Sequence, residues 1–248
     1  MSDNNKQKLN FKLAFLAFGL LLLLQIFVFS YIQLYFQELA GWKYDLTGGI
    51  ITIGADWGIW VGLIITEAAI GLIIMLIFYY RGISIKDLFK NSKNDVKFIL
   101  IGTPLVFIIG IGASYIQLFV MNIFQIQYPE SIDVLTQFLT PNNGFELSIW
   151  ITIMILIVAP CEELFARGCI QKGFQNSLEN RDKGQYLAII GSSICFMIFH
   201  IDPFRFFPIF CESVAIGYMY YKSDSLSSVI WIHGFLNTIL ILLSIFGI

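Results

Sequence analysis

Long apolar runs alternate with short polar interruptions along this chain, and most of the runs are long enough to cross a bilayer. Seven can be marked: Leu13–Phe36, Trp57–Tyr80, Lys97–Met121, Leu147–Gln171, Gly184–His200, Phe206–Tyr221 and Leu226–Ile248. About 20 apolar residues in helical form span the ~30 Å hydrocarbon core. Each run therefore predicts a helix, and the whole predicts an all-α, polytopic transmembrane bundle with any active site inside it. The fifth and sixth runs reach only ~25 Å as helix. Their connection, Ile201–Arg205, is expected to dip into the membrane, where non-helical backbone survives only beside protein or water. Pro104 should kink or start the third helix. Between the third and fourth runs, Ile132, Leu135, Phe138 and Leu139 share one helical face after Pro129, which predicts a short helix lying on the membrane surface.

Lys and Arg positions orient the bundle. With the N-terminus in the cytoplasm, twelve fall on the inner side: Lys6, Lys8, Lys12, Arg81, Lys86, Lys90, Lys93, Lys97, Lys172, Arg181, Lys183 and Lys222. Only Lys43 and Arg205 fall outside, and Arg167 lies within a helix. That asymmetry is what the positive-inside rule requires, and it supports the number of crossings. Trp42, Trp57 and Trp150 fall near the outer boundaries, as an aromatic belt would. No small-residue cleavage site follows the first run, so it is expected to be a retained helix.

Composition agrees. The chain is 57% hydrophobic and 13% charged, with a mean hydropathy of +0.77, whereas a soluble domain is about a quarter charged. The net charge of −2 names no partner beyond the lipid bilayer, and no nucleic-acid partner is expected. Residues 1–248 show no repeat and read as one integral membrane domain. Cys161, Cys169, Cys195 and Cys211 lie in apolar runs without C-x-x-C spacing and read as core residues. Cys161 adjoins Glu162, and no group except His200 is expected to stabilise a thiolate there.

Against this background the ionisable groups inside the runs stand out, because charge at that depth is costly and usually functional. Glu163 and Arg167 are four residues apart, on one helical face, in the favourable orientation for an ion pair. Glu162 points about 100° away and has no partner within its own helix, which makes it a candidate general base. The only two histidines of the chain, His200 and His233, are each part of a four-residue pair. Phe196 and His200 share a face, as do His233 and Asn237. An imidazole and an amide one turn apart offer two donors suited to a developing oxyanion. Together these residues make a general base, an imidazole able to share a water with it, an oxyanion site and a buried ion pair, which is the set needed for water-mediated peptide hydrolysis. Depth is the difficulty. Counted from the nearest inner boundary, Glu162 lies ~15 Å deep, His233 ~10 Å and His200 ~24 Å, so the fifth helix is expected to tilt strongly or to begin outside the membrane. Glu67 has no partner in the pattern and is expected either to line the cavity or to be protonated, and Glu212 is a candidate partner for a buried donor.

The stretch Ala159-Pro-Cys-Glu-Glu-Leu-Phe-Ala-Arg-Gly168 resembles an E-E-x-x-x-R-G motif, Phe196–His200 an F-x-x-x-H motif and His233–Asn237 an H-x-x-x-N motif. In that order they resemble the CAAX protease and bacteriocin-processing (Abi) family of intramembrane glutamic endopeptidases. Gly217–Leu226 is similar to the connection that precedes the third motif. The resemblance covers residues 147–237, the catalytic core. It implies that Glu162 activates water, that His200 shares that water, and that His233 and Asn237 form the oxyanion site. Glu163 and Arg167 would support the first glutamate. It further implies no metal or other cofactor, and a bacterial plasma-membrane location. The substrate would be a short peptide or a membrane protein, as in maturation of a bacteriocin or pheromone. The family fold has eight helices, one more than the pattern marks. A crossing within Asn122–Glu146 would reverse the later charge alternation, so that segment is placed on the surface.

Two other readings compete. A non-proteolytic immunity or regulatory protein would bind a membrane partner and cleave nothing, although no motif residue is missing here. A zinc protease would use Glu162, His200 and His233 as ligands, although no H-E-x-x-H pair is present.

Overall fold

The computed structural model describes residues 9–44, 50–89, 95–126 and 140–246. Among these residues seven helices appear: α1 (Phe11–Leu39), α2 (Trp57–Tyr80), α3 (Asp95–Ile123), α4 (Gly144–Leu178), α5 (Gly184–Phe199), α6 (Phe206–Ser223) and α7 (Leu226–Ser244). Each coincides with one of the apolar runs. All except α5 and α6 are long and apolar enough to cross a membrane, and the protein is a multi-pass membrane protein. The surface helix expected after Pro129 lies outside the described residues. A small antiparallel ribbon, β1 (Lys43–Tyr44) and β2 (Ile50–Thr52), follows α1.

Several local expectations are corrected. α3 starts well before Pro104 and runs through it. Trp42 and Trp150 do not form a belt. Both are buried; Trp42 Nε1 donates to the Ala55 carbonyl (3.1 Å), and Trp150 packs edge-on against Trp60. The non-helical connection expected at Ile201–Arg205 is present as a tight turn, with Ile201 in the left-handed region (φ 52°) and Asp202 Oδ1 accepting from the Phe204 amide. Gln117 of α3 holds the same turn through the Phe204 carbonyl.

α4 is the organising helix, and it is not uniform. Met154–Val158 and Leu164–Gln171 are wide, π-helical turns, and Ala159–Glu163 between them is α-helical. Pro160 has no amide hydrogen and crowds the preceding turn, so the backbone before it opens out. Wide turns of this kind occur often at functional sites. The Glu162–Glu163 pair thus sits on one short, regular turn between two distorted ones.

The depth mismatch disappears once the ends of the helices are known. α4 runs to Leu178, seven residues beyond Gln171. Glu162 is then sixteen residues from Leu178, as His200 is from Gly184, so both stand ~24 Å from the shared α4–α5 turn and no strong tilt is required. α7 starts deeper than its neighbours. Ser223, Ser225, Leu226 and Ser228 are buried, and Leu226 lies against Gly168, ten residues before the end of α4. The Leu226 amide donates to the Leu88 carbonyl (3.0 Å), and Ser228 Oγ donates to Asp95 Oδ1 (2.6 Å). This sunken start lifts His233 to the level of Glu162.

α2 approaches α4 closely at Gly71, where an added Cβ would lie 2.8 Å from Cys161 Sγ. Overpacking of this sort costs about 1–3 kcal/mol. Gly71→Ala should therefore lower the melting temperature in detergent, although alanine is the better helix former. Cys161→Ala in the same chain should restore most of the loss; additive losses would show that the contact is unimportant.

Candidate active site

α4, α5 and α7 bring the three motifs together. Glu163 is fully buried and touches two partners. Its Oε1 accepts from His233 Nδ1–H at 2.8 Å, and its Oε2 lies 3.2 Å from Arg167 Nε. The second contact is a charge pairing without an aligned hydrogen bond, since Arg167 Nε and Glu163 Oε2 have no hydrogen-bond partner among the described residues. Arg167 reaches further with its second nitrogen, donating to the Ser213 carbonyl (2.9 Å) and Ser213 Oγ (3.1 Å) on α6. Its guanidinium also stacks over the Phe196 ring, 5.2 Å from the centroid. The ion pair expected from the spacing is present, and it ties α4 to α6, α5 and α7.

Glu162 faces the other way. Its side chain is 12% exposed against 0% for Glu163, and both of its oxygens face imidazole nitrogens. Oε2 is 3.4 Å from His233 Nε2, and Oε1 is 4.0 Å from His200 Nε2. The second gap is too long for a hydrogen bond and suits one bridging water.

The histidine tautomers follow from their other contacts. His200 Nδ1 lies 2.9 Å from the Phe196 carbonyl, which can only accept, so Nδ1 carries the hydrogen. In the neutral ring Nε2 then presents a lone pair towards Glu162. His233 Nδ1 is likewise committed, to Glu163, and its Nε2 faces Glu162. Phe196 fixes both rings edge-on, with centroids 4.5 Å from His200 and 6.3 Å from His233. The same ring thus lies against both imidazoles and the Arg167 guanidinium.

Asn237 lies one turn beyond His233 on α7 and is partly buried. Its amide has no hydrogen-bond partner among the described residues. Cys161 Sγ is turned to Gly71 of α2, and all four cysteines are free. Among the described residues no group of three His, Cys, Asp or Glu side chains is arranged to hold a metal ion.

Ser213 is a participant that the sequence reading does not include. Its signal was present as the pair Ser213 and Gly217, small residues four apart on α6, which let α4 approach. Gln171 repeats the Arg167 contact one turn on, donating to the Gly217 carbonyl (2.9 Å). Glu67 of α2, the carboxylate without a partner in the sequence pattern, stands nearby. It is buried, its Oε2 has no hydrogen-bond partner among the described residues, and it lies within electrostatic reach of Glu162.

Comparison with protein families bears out the resemblance carried by the three motifs: residues 144–239 match the family described as type II CAAX prenyl endopeptidase Rce1-like. The match spans both glutamates, Arg167, both histidines and Asn237. No curated protein and no solved structure matches the chain.

Arg167→Ala leaves Glu163 buried against a single partner, a change that costs about 3–5 kcal/mol. The melting temperature in detergent should fall steeply. Arg167→Lys should recover little of it, because an ammonium lacks the fork needed to reach Glu163 and Ser213 together. A wild-type melting curve for either variant would contradict this account.

Proposed function

We propose that the Rce1-like region of this membrane protein is a glutamic-type intramembrane endopeptidase that hydrolyses a peptide bond through a glutamate-activated water. The observation that carries the reading is the placement of both Glu162 oxygens opposite imidazole Nε2 atoms, at 3.4 and 4.0 Å. A water in the longer gap gives one hydrogen to Glu162 Oε1 and the other to His200 Nε2, which leaves an oxygen lone pair free to attack. As the new C–O bond forms, the water's proton passes to Glu162. The carbonyl oxygen takes up negative charge and is met by the Asn237 amide and by His233 Nε2, which donates when that ring carries both hydrogens. The C–N bond then breaks, and the amine leaves with the proton held by Glu162.

Adjacent glutamates thus divide the work. Glu163 neutralises Arg167 and sets the His233 ring, whereas Glu162 keeps its oxygens for the reaction. The chemistry proposed needs no metal. The substrate class is a short or membrane-associated peptide, as in maturation of a secreted peptide signal or bacteriocin. The excess of Lys and Arg on the same side as the N-terminus supports a plasma-membrane protein with that terminus in the cytoplasm.

Glu162→Gln keeps the size of the side chain and removes the base. Cells carrying it should accumulate uncleaved substrate, seen when membrane proteins and released peptides are compared with wild type by mass spectrometry. Identical profiles, with the variant correctly folded, would favour the binding-protein reading. Asn237→Ala should lower kcat about 10²–10³-fold, as loss of one oxyanion donor does, with little change in melting temperature. An unchanged kcat would assign the amide another task.

A further inference from the structure

A cavity of about 260 Å³ lies between α3, α6 and α7, and its Glu212 is within electrostatic reach of His233. Phe107 and Ile111 of α3, Ile209 of α6, and Leu236 and Leu240 of α7 make its walls apolar. The α7 contribution locates it. His233, Leu236, Asn237 and Leu240 fall at i, i+3, i+4 and i+7, a single stripe along the helix. The chamber therefore opens off the same face that carries the proposed oxyanion donors.

Its polar lining is Ser114, Arg205 and Glu212. Ser114 Oγ donates to the Gly110 carbonyl (3.0 Å). Arg205 is neutralised by Asp202, 2.5 Å away. Glu212 has no ion pair or hydrogen bond among the described residues, although His233 and Arg205 lie within electrostatic reach. α3 makes room for it at Gly110, where any Cβ would collide with the Glu212 carboxyl. The chamber thus combines greasy walls with one acid that has no direct partner.

We propose that this chamber is the specificity pocket of the endopeptidase read above, and that it takes a lysine or arginine side chain of the substrate with Glu212 as counter-ion. The proposal rests on that reading of the active site. The volume is below the ~300–1,000 Å³ of drug-sized ligand sites, which suits one long side chain rather than a folded segment. Lys and Arg bury their methylene stems along apolar surface and keep the charged head for a polar partner. A neutral side chain would leave the carboxylate unpaired, and an acidic one would be repelled.

Two measurements on the full-length protein in detergent test this. The first uses n-butylguanidinium and its neutral isostere n-butylurea. The guanidinium should raise the wild-type melting temperature, the urea should not, and neither should act on Glu212→Gln. Equal shifts in both proteins, or no shift in wild type, would overturn the pocket. The second digests a randomised peptide library containing norleucine, read by mass spectrometry, with Glu162→Gln as the control for genuine turnover. Glu162-dependent products should carry Lys or Arg at one fixed position near the cut. In Glu212→Gln the ratio of Lys to norleucine there should fall on the order of 10²-fold. An unchanged ratio would remove Glu212 from specificity. Absence of Glu162-dependent cleavage alongside selective guanidinium binding would refute the endopeptidase reading, and with it the specificity role, leaving only a cation pocket.

Discussion

A single buried arginine determines how α4, α5, α6 and α7 can pack. Arg167 is 1% exposed, and a guanidinium in that position is tolerable only if each neighbouring helix answers it. Glu163 supplies the countercharge from α4, Ser213 supplies two acceptors from α6, and Phe196 supplies a ring face from α5. Glu163 passes the constraint to α7 through His233. Shifting one of these helices by a turn would strand a charge or a donor in an apolar interior, at a cost larger than most single packing contacts contribute. The ion pair therefore selects one registry among several that apolar packing alone would tolerate.

That registry is what leaves Glu162 available. The two glutamates are adjacent and chemically identical, yet the ~100° between successive residues on a helix sends one into the ion pair and the other towards the cleft. Glu163 is held by its charge pairing with Arg167 and its hydrogen bond from His233. Glu162 meets only imidazole edges, at distances that leave room for a bridging molecule on one side. The Phe196 carbonyl decides which His200 nitrogen faces the carboxylate, and Glu163 decides the same for His233. Both rings are thus oriented by groups outside the cleft, a supporting shell of the kind that holds reacting groups in line. The wide turn before Ala159–Glu163 belongs to the same arrangement, because the Pro160 ring crowds the carbonyl of the preceding turn.

Helix boundaries controlled how far the site could be read in advance. Periodicity and apolar length placed all seven described helices, since a membrane-spanning segment must satisfy its backbone internally and be apolar along its length. The same criterion failed at the ends. Lys172 marked the edge of an apolar run, but α4 continues as helix to Leu178. Leu226 opened another run, but its buried start under Leu88 sets α7 deeper than its neighbours. Hydropathy reports where a segment becomes polar, which is not where it stops being helical. The apparent mismatch in depth between Glu162, His200 and His233 came from that difference. Trp42 and Trp150 were misplaced for a related reason: an aromatic residue near a boundary can face the bundle as readily as the lipid.

What the sequence alone determined is local. It fixed the membrane class, the identity of the helices, the shared face of Glu163 and Arg167, and the pairing of each histidine with the residue four away, because all of these follow from a 3.6-residue repeat and the cost of charge in an apolar run. Tertiary structure decided everything that depends on two helices at once: the distances from Glu162 to both imidazoles, the recruitment of Ser213, the closeness of Glu67, and the chamber where Gly110 yields space to Glu212. Those relations are set by the level and rotation at which helices meet. Single residues such as Gly71, Gly168 and Arg167 govern them, and nothing in the repeat along one helix records its partner's height.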